Sequence, residues 1–358
     1  MDQASLGAFL RIDDSSRVAE SRRITALVAE REELTAGRAA EAAIVVSELA
    51  TNLLKHAQSG VLQITPLSMH AQPGVEILAI DRGPGMSNPS DSFQDGHSTA
   101  GTLGTGLGAV RRLSSVFDIS SQPGKGTVIL SQLFQERPDP ALTGGAENTG
   151  GAENRPNPSR LSHPCAGFCV GVTARPVGGE PVSGDAWAVR FREDAVLLMV
   201  ADGLGHGLLA AEASAAAARA FYGSKEESAE GLVQTIHRAL RSTRGAAVSV
   251  ARIEFRESRV RFAGLGNVAG TVVAAGKLHA MVSHSGTAGH EARQIREFQY
   301  PWTSDSLIVM HSDGLSGHWD LASFPGLVHR HPAVVSGVLY REAARDRDDA
   351  CVMVGKGQ

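Results

Sequence analysis

The chain has 358 residues, of which 42% are hydrophobic and 20% are charged, and its formal net charge is -4. This length predicts two domains with buried cores, and the small negative charge argues against a nucleic-acid partner. The three cysteines match no zinc-ligand spacing, the first 17 residues lack the apolar core of a signal peptide, and no segment is long enough to cross a membrane. The sequence therefore predicts a cytoplasmic protein with reduced thiols.

An amphipathic helix is predicted over residues 38–57. Its apolar stripe has four-residue spacing and consists of Val45, Leu49 and Leu53. The neighbouring face carries three polar residues, which are Glu48, Asn52 and Lys55. Taken alone, such a polar face usually indicates a helix surface that is exposed to solvent. The segments that follow are therefore needed to interpret it.

Those segments contain a candidate phosphate site. A strand is predicted over residues 75–80, directly before Asp81, and a glycine-rich loop at 101–108 opens a helix at 109–113. A glycine-rich loop at a helix N-terminus offers backbone N–H groups and a positive dipole end to phosphate. The loop lacks the Gly-Lys-Ser/Thr of a P-loop, and a last strand is predicted over 128–134.

A linker is predicted between the two domains. The hexapeptide Thr-Gly-Gly-Ala-Glu-Asn occurs at 143–148 and again at 149–154, and it contains no large apolar residue. Such a segment cannot bury enough surface to order itself. The expected organisation is therefore one domain at 1–136, a flexible linker at 137–160 and a second domain at 161–358.

The second domain alternates predicted strands with helices. Strands are predicted at 168–173, 186–191, 195–201, 246–255, 259–263, 268–275, 277–282, 306–310 and 350–354. Helices are predicted at 208–222 and 229–241. The pattern indicates a layered α+β sandwich.

Four strand ends in this domain carry a carboxylate. The residues are Asp185, Asp202, Asp313 and the pair Asp348-Asp349. A lone Asp-Gly after a strand is usually a helix cap, but several oxygen ligands that converge from separate segments are what a hard cation requires. The sequence therefore predicts a metal site in the second domain.

The first domain resembles the GHKL ATPase/kinase superfamily. The motifs at 47–52, 81–85, 101–108 and 126–127 occur in the order of that superfamily, and the chain is most similar to serine kinases of the RsbT type in bacterial partner-switching and stressosome systems. The resemblance implies a Bergerat fold, an ATP-binding α/β sandwich with helices over one face of a mixed sheet, and ATP with magnesium as cofactor.

The same resemblance implies roles for individual residues. Glu48 would act as base toward a serine hydroxyl, Asn52 would hold magnesium, and Asp81 would bind the adenine amino group with Thr127 nearby. The remaining ATP-binding residues would be Lys55, Gly83, Gly85, Gly104, Thr105, Gly106, Leu107 and Gly108.

The second domain resembles the type 2C (PPM) protein phosphatases, most of all their SpoIIE/RsbX branch. The resemblance rests on the four aspartate motifs together with the segments at 202–207 and 264–267. The resemblance implies a PPM-type αββα sandwich and two manganese or magnesium ions, held by Asp185, Asp202, Gly203, Asp313 and Asp348. Asp348 is favoured over Asp349 because the family aspartate stands first in that pair. His206 and His311 would serve either as a leaving-group acid or in packing.

Together these resemblances imply a bifunctional serine kinase and phosphoserine/threonine phosphatase. The expected partner is a STAS-domain antagonist or scaffold protein as phospho-substrate, with a possible downstream switch protein and a possible homodimer. The alternative is an ATP-gated partner-binding module, of the anti-sigma or switch type, fused to a phosphatase that is the only catalytic domain. Glu48 favours the enzyme, since a nucleotide sensor needs no base.

Overall fold

The computed structural model describes residues 7–57, 60–67, 73–89, 106–136, 167–178 and 180–357. The predicted linker at 137–160 lies outside these residues, as do Gly104 and Thr105. The domain limits at 136 and 161 therefore stay predictions.

The first domain is a five-stranded sheet with helices on one face. Its elements are β1 (Ala8–Ile12), α1 (Ser15–Arg31), α2 (Ala36–His56), β2 (Gly60–Pro66), β3 (Gly74–Asp81), α3 (Gly106–Leu113), β4 (Val116–Gln122) and β5 (Gly126–Phe134). The strand order is β1-β2-β3-β5-β4, and every pairing among these described strands is antiparallel. The expectation of a mixed sheet was wrong, because sequence neighbours such as β2–β3 and β4–β5 pair as antiparallel hairpins.

Capping and amphipathicity explain the two long helices. Asp14 caps α1 by accepting hydrogen bonds from the backbone N–H groups of Ser16 (2.6 Å) and Arg17 (3.2 Å). The Thr35 hydroxyl accepts a bond from the Arg38 N–H at the start of α2. The apolar stripe predicted for α2 is buried against the sheet, which leaves the neighbouring polar face for a ligand.

The second domain contains two five-stranded sheets packed face to face. Its strands are β6 (Phe168–Arg175), β7 (Asp185–Phe191), β8 (Ala195–Gly203), β9 (Ala246–Glu254), β10 (Arg259–Leu265), β11 (Ala269–Ala274), β12 (Lys277–Met281), β13 (Phe298–Pro301), β14 (Leu307–His311) and β15 (Ala350–Gly357). Its helices are α4 (Leu208–Gly223), α5 (Ala229–Ala239) and α6 (Pro332–Ala343). The sheet orders are β13-β10-β9-β8-β7 and β12-β11-β14-β15-β6.

The layers follow the predicted αββα sandwich. Side chains from both sheets form a common core between them. Helices α4 and α5 pack on the outer face of the first sheet, and α6 packs on the outer face of the second. The sequence did not predict α6 or β13, nor β1, α1, β2 and β4 of the first domain.

Helix α6 also contacts the first domain, so the two domains share a core. Leu78 and Ile80 of β3 and Val128 and Leu130 of β5 lie on the sheet face away from α1 and α2, and they join one apolar cluster with α6. The layer order through the molecule is therefore helices, sheet, sheet, α6, sheet, helices. Burial of these side chains from both domains favours one packed unit.

Polar contacts fix α6 and the edge of the second domain to the first. The Asp118 carboxylate of β4 accepts hydrogen bonds from the Arg330 guanidinium (3.0 Å) and from the backbone N–H of His331 (2.7 Å), the N-cap residue of α6. The Gln63 amide of β2 donates to the Val172 carbonyl (2.7 Å) and accepts from the Ala174 N–H (2.9 Å) on β6. Gln63 thus bonds to the open edge of the second sheet.

In the part of the chain that the structure describes, no helix is both long enough and apolar enough to cross a membrane.

Candidate functional site

The predicted metal ligands lie together at one end of the sandwich. Asp185 begins β7 and faces Asp202 of β8 across an antiparallel pair. Asp313 follows β14, and Asp348 stands two residues before β15. The two sheets therefore each supply a pair of carboxylates, as predicted from the four strand ends.

Hydrogen bonds join these carboxylates to one another and to neighbouring polar side chains. Asp202 and Asp313 share a side-chain hydrogen bond. The Asn267 amide donates to Asp313 Oδ2 at 2.5 Å, and the Ser312 hydroxyl donates to Asp185 Oδ2 at 2.6 Å. Asp185 Oδ1 is buried and has no hydrogen-bond partner among the described residues. Leaving a buried oxygen without a hydrogen-bond partner costs about 1–3 kcal/mol, so we expect this atom to bind a ligand.

The raised pKa values of these carboxyl groups also indicate a bound ligand. Burial, followed by the charge of Asp202, raises the pKa of Asp185 well above its usual range. Burial, followed by the charges of Asp313 and Asp348, raises the pKa of Asp202 to about 7. The pKa of Asp313 is also raised, mainly by burial and by Asp348. A cation between these groups would remove the repulsion and restore ionised carboxylates.

The donor set fits hard cations that are shared between carboxylates. Asp185, Asp202, Asp313, Asp348 and the carbonyl of Gly203 supply only oxygen, which manganese and magnesium accept. Within the described ranges, no three His, Cys, Asp or Glu side chains come close enough to hold one ion by themselves. The ions would therefore take part of their coordination from backbone oxygen and water.

Asp349 has a different task from Asp348. Its Oδ1 accepts a hydrogen bond from the Val177 N–H (2.7 Å) and its Oδ2 accepts one from the Gly184 N–H (2.9 Å). Both oxygens thereby hold the segment before β7 in place. This use of Asp349 supports the choice of Asp348 as the metal ligand.

The two histidines beside the aspartates differ in exposure. His311 is buried: its Nδ1 lies 2.8 Å from the Ser312 carbonyl oxygen, its Nε2 accepts a bond from the Trp319 indole N–H, and burial lowers its pKa. These contacts are those of a packing residue. His206 is exposed, and its Nδ1 lies 2.8 Å from Glu180 Oε1.

The predicted nucleotide residues lie around α2, α3 and the end of β3. Glu48, Asn52 and Lys55 lie on one side of α2, where Glu48 and Asn52 are half-buried and Lys55 is exposed. Glu48 Oε2 lies 2.7 Å from the position that a Cβ atom would take on Gly106, the first residue of α3. The carboxylate is therefore next to the helix end that the sequence marks as a phosphate cradle, which continues through Leu107 and Gly108.

Asp81 lies at the end of β3. Its Oδ1 accepts hydrogen bonds from the backbone N–H groups of Gly83 (2.7 Å) and Thr127 (3.1 Å). Burial raises the pKa of this carboxyl, and the two hydrogen bonds oppose the rise. Gly85 closes the adjoining turn with a φ of 67°, where a Cβ atom would lie 1.9 Å from the Gln122 carbonyl oxygen. Such a carboxyl, held by its neighbours, suits an adenine amino donor.

Several supporting residues could not be assigned from the sequence. Asn267 and Ser312 hydrogen-bond to the metal-site carboxylates, and Arg345 donates from Nη1 to the Asp313 carbonyl at 3.2 Å. Ser312 and Asn267 stand in motifs that were recognised, so their position was a usable signal. Arg345 had no such signal because the fold alone brings it to Asp313.

Comparisons with known proteins match two separate parts of the chain. Residues 13–132 match the family described as "Histidine kinase-like ATPase domain", and residues 192–354 match the family "Stage II sporulation protein E (SpoIIE)". The two matches do not overlap.

Two curated relatives and one solved structure are similar to the chain. It is 39% identical to the serine/threonine-protein kinase RsbT of Bacillus subtilis over 84 residues, which are 24% of this chain and 63% of RsbT. It is 26% identical to the phosphoserine phosphatase RsbX of Bacillus subtilis over 139 residues, which are 38% of this chain and 70% of RsbX. A solved structure described as "The bacterial stressosome: a modular system that has been adapted to control secondary messenger signaling" is 28% identical with a TM-score of 0.50, and the match covers 53% of this chain and 99% of that one.

The first match includes Glu48, Asn52 and Asp81, and the second includes Asp202, Asp313 and Asp348. Residues 13–132 therefore contain a histidine kinase-like ATPase domain of the GHKL superfamily, and residues 192–354 contain a PP2C-type domain of the SpoIIE family.

Proposed function

We propose that the chain is a bifunctional enzyme, a protein serine kinase and a metal-dependent phosphoserine/threonine phosphatase. The observation that carries the proposal is the aspartate cluster, in which Asp185 has a buried oxygen without a partner and Asp202 has a pKa of about 7. Groups with such perturbed pKa values are typical of functional sites rather than of packing.

The phosphatase chemistry follows from the donor set. Asp185, Asp202, Asp313, Asp348 and Gly203 would hold two manganese or magnesium ions, which activate water and neutralise phosphate charge when bound. Ser312 and Asn267 orient the carboxylates through the hydrogen bonds described above. The serine or threonine leaving group then needs only a proton from solvent or a nearby acid, and the exposed His206 is the candidate for this acid.

The kinase chemistry relies on position. Asn52 and Lys55 would hold magnesium and phosphate, Asp81 with Thr127 would hold adenine, and Gly83, Gly85, Gly104, Thr105, Gly106, Leu107 and Gly108 would shape the pocket. Glu48 lies beside the start of α3, where it could take the proton of an incoming serine hydroxyl. Positioning, charge neutralisation and a base are the needs of phosphoryl transfer.

The proposed substrate is a STAS-domain regulator of a bacterial partner-switching pathway. Support comes from the similarity of one domain to the kinase RsbT and of the other to the phosphatase RsbX, together with the stressosome structure. A kinase and a phosphatase on one chain would then set the phosphorylation level of one pathway.

The first test removes one metal ligand. Asp202→Ala should lower manganese-dependent hydrolysis of p-nitrophenyl phosphate by about two orders of magnitude or more. The melting temperature in EDTA should not fall, because the change removes one of several repelling carboxylates. Stabilisation by added manganese, measured by thermal melting, should disappear.

Asp305→Ala is the matched control, since Asp305 is exposed, and it should behave as the wild type. If Asp202→Ala keeps wild-type hydrolysis and manganese stabilisation, the phosphatase site is assigned to the wrong residues.

The second test separates catalysis from nucleotide binding. Glu48→Gln should still bind ATP with magnesium but should transfer phosphate to a STAS-domain protein roughly a hundredfold more slowly, since it keeps the shape and removes the base. Asn52→Ala should instead weaken magnesium-dependent ATP binding. Transfer is followed with radiolabelled ATP and binding by calorimetry. Normal transfer by Glu48→Gln would contradict the kinase mechanism, and an absence of transfer in the wild type with intact ATP binding would favour the ATP-gated binding module.

A further inference from the structure

A cavity of about 470 Å³ lies between the two domains, and Asp81 of the candidate nucleotide site forms part of its wall. The first domain contributes Phe9 and Arg11 of β1 and Arg82, which follows β3. The second domain contributes Arg175 of β6 and two residues of α6, Tyr340 and Arg341. A cavity of this volume can hold a small molecule, and domain interfaces are common places for such sites.

The walls of the cavity carry an excess of positive charge. Five arginines line it, against the three carboxylates of Asp81, Glu180 and Asp346. Asp81 accepts hydrogen bonds from the backbone N–H groups of Gly83 and Thr127, and Glu180 contacts His206. Asp346 forms an ion pair with Arg175 at 3.4 Å, but its side chain is fully exposed, so the pair is weak. Arg17 pairs with Glu20 (2.6 Å) and Arg341 with Glu342 (2.8 Å), whereas Arg11 and Arg82 form no ion pair with any residue that the structure describes.

Two of these arginines have buried donors without an acceptor. Arg341 is only 3% exposed, and its Nη1 has no hydrogen-bond partner among the described residues. The Nε atom of Arg175 is also buried and has no hydrogen-bond partner among the described residues. The Arg82 guanidinium donates to the Arg341 carbonyl and not to a carboxylate. Buried donors of charged groups are costly when unpaired, so an anion that reached them would be bound strongly.

The lining also contains an apolar part. The rings of Phe9 and Tyr340 pack edge to face with centroids 5.3 Å apart, and Val61 and Ile80 lie beside them in the wall. Arginine donors next to aromatic rings match a ligand that has phosphate at one end and a flat ring at the other.

We propose that this cavity binds a phosphate-bearing small molecule of about nucleotide size, at a second site that shares Asp81 with the candidate ATP pocket and contains none of the four clustered aspartates. The site lies at the end of β3, on the sheet face opposite α2. It also adjoins the phosphatase centre, because Arg175 donates to the carbonyls of Arg345 (2.5 Å) and Asp348 (2.9 Å). A bound anion would therefore fix the segment that carries Asp348.

The test uses the full chain in the Asn52→Ala background, which weakens the proposed ATP site, in a metal-free buffer. Inorganic pyrophosphate and GMP are titrated separately by calorimetry. We expect one site per chain, and about tenfold weaker binding after Arg11→Glu at the rim or Arg341→Met in the wall. Arg293→Glu is the control, because that side chain is exposed and lies outside the cavity.

The outcomes separate clearly. Binding of pyrophosphate alone assigns the site to inorganic anions, and tighter binding of GMP assigns it to nucleotides. If neither probe binds at millimolar concentration, or if Arg11→Glu weakens binding no more than Arg293→Glu does, the proposal is overturned. Arg11 is exposed, so its variant keeps the test valid even if Arg341→Met does not fold.

Discussion

Glu76 of β3 carries a carboxyl group that is buried where the second domain covers the first. It accepts a hydrogen bond from the Gln132 amide at 2.7 Å, and Val170, Val172 and Trp187 lie around it. Burial raises its pKa from 4.5 to about 7. The folded protein therefore holds a proton on Glu76 that the unfolded chain releases at lower pH.

This proton links stability to pH. Because the folded-state pKa is the higher one, the stabilisation is complete below pH 4.5 and is lost as the pH rises through about 7. The shift corresponds to about 3 kcal/mol as an upper value. Glu76→Gln should therefore raise the free energy of unfolding at pH 8 much more than at pH 5, as measured by urea titration.

Glu212→Gln serves as the control because Glu212 is exposed, and it should change stability equally little at both pH values. An equal effect of Glu76→Gln at pH 5 and pH 8 would show that the carboxyl is not protonated in the folded protein.

Helix α6 has no space for a larger side chain at Gly337. A Cβ atom there would lie 2.9 Å from Val128 Cγ1 and 3.3 Å from Leu78 Cδ2, both in the first domain. Gly337→Leu should push the helix away from the sheet and lower stability by about 1–3 kcal/mol, in spite of the better helix propensity of leucine.

Gly37 of α2 provides the matched control, since no atom lies within 4 Å of its Cβ position. Gly37→Leu should leave the melting temperature unchanged or raise it slightly. If the two variants melt alike, α6 does not pack against the first domain as described.

Much of each domain could be predicted because its pattern is local. The strands that end in aspartate have continuous apolar runs, and α2 has a clear polar face, so these elements followed from the sequence, while the metal-site residues stay predictions. Helix α6 did not, since nearly all of its residues are buried. A helix between two sheets has no polar face, and its periodicity therefore disappears. Arg82 and Arg341 likewise meet only through the contact between the domains, which no local pattern records.

The two domains are joined by more than the peptide chain. The apolar cluster around α6, the Asp118 bonds and the Gln63 bonds connect them directly. Coupling between the ATP site and the phosphatase site therefore needs no stiff linker. Arg82, next to Asp81, bonds to the Arg341 carbonyl near the end of α6, and the Arg345 N–H beyond it bonds to the Gly314 carbonyl at 2.8 Å, beside Asp313.

Cleavage at a protease site inserted within the hexapeptide repeat at 143–154 should leave the two pieces bound to each other. The buried apolar contact would hold them without a covalent link. The cut protein should elute as one peak of unchanged size in gel filtration, and a non-hydrolysable ATP analogue should change its phosphatase rate as much as that of the intact protein. Separate elution of the pieces would show that the contact is too weak to act without the linker.

The bonds from Gln63 to Val172 and Ala174 have a consequence for any attempt to divide the protein. Strand β6 is the last strand of its sheet, and the Gln63 side chain occupies the position that a further strand would take. A phosphatase fragment made without the first domain would expose that row of backbone donors and acceptors, together with the apolar face of α6. Such an edge recruits strands from other molecules and leads to aggregation. The first domain therefore covers both the β6 edge and the apolar face of α6.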